Sequence, residues 1–357
     1  MAYKLLHLGC LIALFVQRDS DFGTRGWPSI NRIIMAELAI ERVLLDRAAV
    51  DPFLAFASVC FGLIFGSFLN VCIYRLPRDL SVSEPKRSAC PHCHQQIAFY
   101  DNIPVLSWLV LRGRCRKCNA SISPRYLVVE ILTALLFLTC AWHFGATLAT
   151  IKYDALSFLL LGLIFTDAET KLLPDKLTLT GLALGIAFSV VVPVNDLASQ
   201  FLPGVVSLPV SSEISWHILS LIDALLGAVV GASFIYGAGA IYLRARGIEG
   251  MGFGDVKLMA MIGAFLGVKL TVFTIFTASI AGSLFGVGTI LLVWVKRTRR
   301  FLRRQHVTLQ QARRRAWQSA QTVYRHHEMP FGVFLGGMAL IALFFGNYFL
   351  DWYWRLL

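Results

Sequence analysis

Long apolar runs separated by short polar connections occupy most of this chain. They fall at about 52–74, 126–150, 151–166, 177–193, 216–243, 256–268, 270–295 and 331–350. A helix needs roughly 20 apolar residues to cross a bilayer. The runs at 151–166 and 256–268 are shorter, which a spanning helix tolerates where protein or a watery cavity surrounds it. The pattern predicts an all-α integral membrane protein with about eight transmembrane helices. Two polar stretches interrupt it, 75–124 after the first run and 296–328 before the last. The expected organisation is an N-terminal extension (1–51), a first helix (52–74), a polar insertion (75–124), a membrane core (125–295), a basic loop (296–328) and a final helix with the C-terminus (329–357). No internal repeat is evident. Two readings of the extension stay open. The apolar run 5–16 resembles a signal-peptide core without a small-residue cleavage site, or the true start is Met35.

Composition agrees with the pattern. The chain is 57% hydrophobic and only 15% charged, where soluble domains carry about 25% charged residues. A soluble enzyme is excluded. The net charge of +12 reports topology first, because cytosolic loops collect Lys and Arg. Basic residues crowd 75–125, the turn with Lys171 and Lys176, the loop with Arg244 and Arg246, and 296–325; the intervening loops are poor in them. Every second loop is therefore cytosolic. The stretch 296–325, with Arg313, Arg314 and Arg315, reads as a basic helix on anionic membrane lipids. No nucleic-acid partner is expected. Trp352 and Trp354 beside Arg355 read as an interfacial anchor.

Two motifs carry chemistry. Cys90-Pro91-His92-Cys93 and Cys115-Arg116-Lys117-Cys118 have the knuckle spacing of a tetrahedral four-cysteine zinc site. A reducing cytosol argues against disulfides. A redox dithiol, unliganded cysteines, or His92 and His94 as ligands are the alternatives. The metal would be structural, since so small a section lacks a core of its own. The second motif is a pair of acids at the ends of apolar runs: Asp167 in Thr166-Asp167-Ala168-Glu169 and Asp255 in Gly252-Phe253-Gly254-Asp255. Ionisable groups at a membrane are costly and functional by default. The charge alternation puts both on the cytosolic face, where a carboxylate dyad would activate water. Gly252 and Gly254 permit close approach of a substrate strand, and Glu169, Asp175 and Lys257 are the expected supporting residues. The plain readings are a solvated Asp167 in a tight turn with Pro174-Asp175, Asp255 as a helix cap, and Lys257 paired with Asp255 or reaching to lipid headgroups.

Together these motifs resemble the type IV prepilin peptidases, a family of intramembrane aspartic proteases. The likeness starts at Gly66-Ser67-Phe68-Leu69-Asn70 and runs on to Leu76-Pro77. It continues through both knuckles, Asn102-Ile103-Pro104, Arg125-Tyr126, Glu130 and the two acid motifs, to Pro330-Phe331-Gly332. The resemblance implies that Asp167 and Asp255 are the catalytic pair; as like charges that cannot both ionise cheaply, one is expected to hold a proton while the other is ionised. It implies removal of the basic leader from type IV prepilins and type II secretion pseudopilins at the cytosolic face of the bacterial inner membrane. Members with the cysteine section also methylate the new N-terminus with S-adenosylmethionine, and Cys90, Cys93, Cys115 and Cys118 place this chain among them. Three features depart from the family: the length of 1–50, Leu127 where proline is common, and the length of 296–325. The alternatives are a peptidase without methyltransferase activity, a transporter with an aspartate proton relay, and a zinc-bearing membrane scaffold.

Overall fold

The computed structural model describes residues 51–84, 88–90, 92–194, 196, 212–247, 252–304, 308–325 and 330–356. All belong to one compact unit, Val50–Leu357. The signal-like run and Met35 lie outside the described residues. Helix α1 (Pro52–Arg75) starts with Asp51 accepting the Phe53 N–H at 3.0 Å and Pro52 in the first turn, a favourable opening because proline lacks only an N–H that has no helical partner. A short α2 (Leu106–Val110) lies in the polar insertion. Then follow α3 (Arg125–Phe144), α4 (Leu148–Thr170), α5 (Asp175–Val191), α6 (Ser212–Arg246) and α7 (Phe253–Arg304). The chain finishes with α8 (Leu309–Arg325), α9 (Phe331–Ile341), a π turn at Ala342–Gly346 and α10 (Asn347–Trp354).

Among the described residues, six helices are long and apolar enough to cross a membrane. The eight expected segments appear when α5, at 17 residues, and a fold in α7 are added. At Gly267 the backbone turns to φ 79°, ψ −179°. A Cβ built on Gly231 of α6 would lie 2.6 Å from the Met259 carbonyl oxygen and 3.0 Å from the Thr271 methyl. A straight helix would separate positions 259 and 271 by about 18 Å, so α7 doubles back at Gly267 into two limbs. The sequence places a break here, between 256–268 and 270–295. It misplaces another. The boundary between the second and third segments lies at Gly145–Thr147 rather than 150/151, because Gly145 adopts φ 65° and Thr147 donates to the Phe144 carbonyl at 2.9 Å. The third segment is thereby 23 residues long. The basic stretch, placed as a loop in the chain's organisation and read from its composition as a basic helix, is helical over 296–304 and 309–325: Trp294 donates to the Arg313 carbonyl at 3.1 Å and Arg297 to that of Ser319 at 3.1 Å, seating α8 on the end of α7.

Small residues set how closely the helices pack, as expected where lipid gives apolar side chains no reason to prefer protein. A Cβ on Gly66 would lie 2.8 Å from the Glu130 Cα, which brings α1 against α3. A Cβ on Gly263 would lie 2.1 Å from the Gly227 carbonyl oxygen, which brings the first limb of α7 against α6. Between these contacts Leu69, Leu160, Met259, Phe265 and Leu335 are fully buried.

Candidate active site

The helix ends nearest the polar insertion carry the acids. Asp167 sits in the last turn of α4, which closes on Lys171 in the left-handed region at φ 55°. Asp255 sits in the first turn of α7 and donates its N–H to the Gly252 carbonyl at 3.1 Å, so it lies inside the helix rather than capping it. Their residues are 5% and 8% exposed. Leu173, in the turn between α4 and α5, packs against both segments. A Cβ on Gly254 would lie 3.0 Å from the Leu173 Cβ. A Cβ on Gly332 would lie 3.3 Å from the Leu173 Cδ2 and 2.9 Å from Asp167 Oδ2. The backbone N–H of Val333, in the first turn of α9, donates to Asp167 Oδ2 at 3.0 Å. Three distant stretches of chain therefore converge on one pair of carboxylates.

The supporting residues divide. Glu169 faces away from the pair and accepts from Arg125 at 2.5 and 2.6 Å, tying α4 to the start of α3. Lys257 pairs with Asp175 at 2.6 Å rather than with Asp255, tying α7 to α5, and its ammonium sits 5.1 Å from the Phe253 ring centre. Gly252 is exposed and contributes its carbonyl; Gly254 gives room for Leu173. The Val333 N–H, Gly332 and Leu173 are not foreseen as site residues. The only signal was the Pro330-Phe331-Gly332 run, which the sequence marks as a motif without a role.

The four cysteines come together in the polar insertion. Their Sγ atoms lie within 4.8 Å of one another, with Cys90 and Cys118 at 3.7 Å. A tetrahedral ion bound at about 2.3 Å to each sulfur requires sulfur–sulfur distances near ~3.8 Å, so the cluster can hold a metal. Neither His92 nor His94 belongs to it. The backbone repeats itself here, although the sequence shows no repeat. Cys90 N–H donates to the Gln95 carbonyl at 3.0 Å and Cys115 N–H to that of Ala120 at 2.9 Å. His94 N–H returns to Cys90 and Asn119 N–H to Cys115, both at 2.9 Å. His94 and Asn119 each take φ 56°. Each knuckle thus turns two thiols towards one point. Backbone N–H groups of Cys118 and then Lys117 pull the Cys115 thiol down to about 6, while Cys118, against the pull of the Ala120 N–H, is raised to about 11 by burial and the neighbouring thiols, so the first thiolate of the cluster forms on Cys115. Arg116 forks onto Asp101 at 2.6–3.1 Å and holds its carboxyl below the usual range.

Fold and site define a multi-pass membrane protein with a buried carboxylate pair at one end of its bundle and a four-cysteine module at the same end. Residues 60–144 match the bacterial peptidase A24 N-terminal domain, and residues 155–287 the type IV leader peptidase family. A prepilin leader peptidase/N-methyltransferase of Aeromonas hydrophila is 35% identical over 335 residues, 87% of this chain and 98% of that protein. Proteins of the same name from Pseudomonas aeruginosa and Neisseria gonorrhoeae are 37% and 34% identical, over 68% and 66% of this chain and 84% and 82% of their own lengths. No solved structure matches. The chain belongs to the type IV leader peptidase family.

Proposed function

We propose that this protein is a membrane-embedded aspartic endopeptidase that removes the leader from type IV prepilins and type II secretion pseudopilins, and that it methylates the new N-terminal amine with S-adenosylmethionine. It works in the inner membrane with its catalytic face towards the cytosol. The observation that carries the reading is the convergence of Asp167 and Asp255, both buried, from helices α4 and α7 onto Leu173, with a backbone N–H fixing one of them.

Two neighbouring carboxylates in one buried site share a proton more cheaply than both ionise. The ionised one takes a proton from water as the water attacks the carbonyl of the leader's last residue. The protonated one polarises that carbonyl and then helps protonate the departing amine. The Val333 N–H holds Asp167 Oδ2 in one orientation, so that aspartate meets the water without first reorienting. Cys90, Cys93, Cys115 and Cys118 would hold a structural zinc, which supplies folding energy to the module and takes no part in hydrolysis. Both acids lie at one end of the bundle, whereas a proton relay needs sites through its depth. The transporter reading finds no support in that placement.

The test is mass spectrometry of a prepilin N-terminus after co-expression with the wild-type protein, Asp167→Asn or Asp255→Asn. Trimmed, singly methylated pilin with the wild type alone supports the proposal. Trimming by either variant refutes the aspartate mechanism.

A further inference from the structure

A second buried polar centre lies where the cysteine module meets the membrane helices, and the hydrolytic mechanism does not use it. Glu130, in the second turn of α3, is 8% exposed. Its Oε2 accepts the Val105 N–H from the module at 2.7 Å, and the Ser67 hydroxyl of α1 bonds the same carboxylate. Val105 takes φ 63°, a conformation strained for a β-branched residue and met mainly at functional sites. One turn from Ser67 on the same face of α1 stands Asn70, 2% exposed. Its Nδ2 donates to the Tyr126 carbonyl at 3.0 Å. A carbonyl only accepts, so the amide nitrogen must face it and the oxygen must face the other way. That oxygen, Oδ1, is buried without a hydrogen-bond partner. Tyr126 and Glu130 are four apart on α3, as Ser67 and Asn70 are three apart on α1, so the two pairs face each other across the Gly66 contact.

A buried amide oxygen without a donor costs about 1–3 kcal/mol, and such groups call for an explanation. A carboxylate and an unsatisfied amide oxygen side by side are two acceptors, one charged, with capacity left for N–H donors. A primary ammonium has that chemistry. Two ammonium groups would be present in the reaction proposed above: the new N-terminus of the trimmed pilin, and the amino group of the methyl donor.

Resting on that proposal, we infer that Glu130 and Asn70 form the site that receives the new N-terminal amine of the trimmed pilin for methylation. The location fits, because Arg125 at the start of the same helix is paired with Glu169, two residues from Asp167. The amine released at the aspartates thus has only to pass to the neighbouring helix. There the ammonium gives up a proton to the Glu130 carboxylate. The freed lone pair forms the N–C bond to the methyl group as the S–C bond breaks, and that bond's electrons stay on sulfur as the donor leaves as a thioether.

The experiment compares wild type, Glu130→Gln and Asn70→Leu, purified with zinc content measured. Each is tested for prepilin cleavage, for the KM of pre-trimmed pilin in methylation, and for S-adenosylmethionine binding by calorimetry. Glu130→Gln keeps an oxygen for the Val105 N–H, so the module stays folded. Asn70→Leu removes the free acceptor without touching Val105. The expected result is cleavage and zinc unchanged, donor affinity unchanged, and methylation efficiency down by about 10–100-fold, through the KM for pilin in Asn70→Leu and through kcat as well in Glu130→Gln, which loses the proton acceptor. Two outcomes overturn the inference: methylation at the wild-type rate in both variants, or loss of donor binding, which would assign the site to the donor's amino group. A wild-type protein that trims pilin and leaves the amine bare would instead remove the methyltransferase reading beneath it.

Discussion

Gly332→Ala tests the proposed dyad without altering either acid. The added Cβ would lie 2.9 Å from Asp167 Oδ2, 3.2 Å from its Cγ and 3.3 Å from the Leu173 Cδ2. A carbon and an oxygen need about 3.4 Å, so the carboxylate must retreat by roughly half an ångström, which stretches the 3.0 Å bond from Val333 N–H to the limit of a useful hydrogen bond. A hydrogen bond to a charged group contributes about 1.5–3 kcal/mol. Lost from a group that must be oriented at the moment of reaction, that is about 10–150-fold in rate. Alanine's helix preference over glycine, roughly 0.5–1 kcal/mol, offsets part of the strain, and denaturation of the same samples separates lost positioning from lost fold. Gly337→Ala is the control: it lies on the same helix with nothing within 4 Å of its Cβ, and should keep full activity. The assay is the initial rate of prepilin cleavage by purified protein, with thermal denaturation alongside. A Gly332→Ala protein that cleaves at the wild-type rate refutes the argument that the Val333 contact positions Asp167.

Three further outcomes are expected. Cys118→Ser, or chelation of the wild type, should lower zinc from one ion per chain and remove hydrogen-exchange protection from residues 88–122, because metal binding in such modules contributes about 10–16 kcal/mol to folding. Gly263→Ala should shorten thermal survival in detergent, since its Cβ would lie 2.1 Å from the Gly227 carbonyl oxygen and overpacking costs about 1–3 kcal/mol; Gly237→Ala, with open space around it, should not. Burial, opposed by the Lys269 N–H and aided by the Asp223 charge, raises the Asp196 carboxyl above its ordinary value. Its contribution to stability is thus full below about 3.9 and is lost as pH rises through the folded value. Asp196→Asn should flatten that part of a melting-temperature profile while keeping an acceptor for Lys269. Asp196→Leu should cost about 1–3 kcal/mol by orphaning that N–H.

What the sequence reveals and what it hides follow from the physics of each feature. Apolar runs against basic loops are a strong contrast, so eight segments and the Gly267 turn are readable. The Gly145–Thr147 turn is not, because it sits inside apolar sequence and its hydrogen bonds are local. The two acids declare themselves because a carboxylate in an apolar setting is rare. Their partners stay hidden: the Val333 N–H belongs to the backbone, and any residue there would supply it. Glu169 and Asp175 stand out as charges near the acids, yet their partners lie 44 and 82 positions away. The knuckle repeat escapes notice because only its cysteines recur, while the shared features are backbone bonds and two left-handed residues, His94 and Asn119.

The polar ties also explain how a bundle in lipid keeps two carboxylates in register. Apolar side chains pack in the middle of the bundle, but lipid tails are as apolar as leucine, so burial alone fixes helix ends weakly. The limb of α7 that carries Asp255 is held at three heights. Lys257 ties its opening turn to Asp175 of α5 at 2.6 Å. Gly263 brings its middle into backbone contact with Gly227. At its far end Asp196 accepts the Lys269 N–H at 2.8 Å just past Gly267, and donates its own N–H to the Asp223 carboxylate at 3.2 Å. The opposing acid is held likewise, with Glu169 tied to Arg125 and Asp167 to Val333. Partly exposed ion pairs each contribute only about 1 kcal/mol or less, too little to account for the fold. Their value lies in position. A misplacement of about 1 Å can cost a hundredfold in rate, so ties concentrated at the ends of α4 and α7 do for geometry what the apolar core cannot.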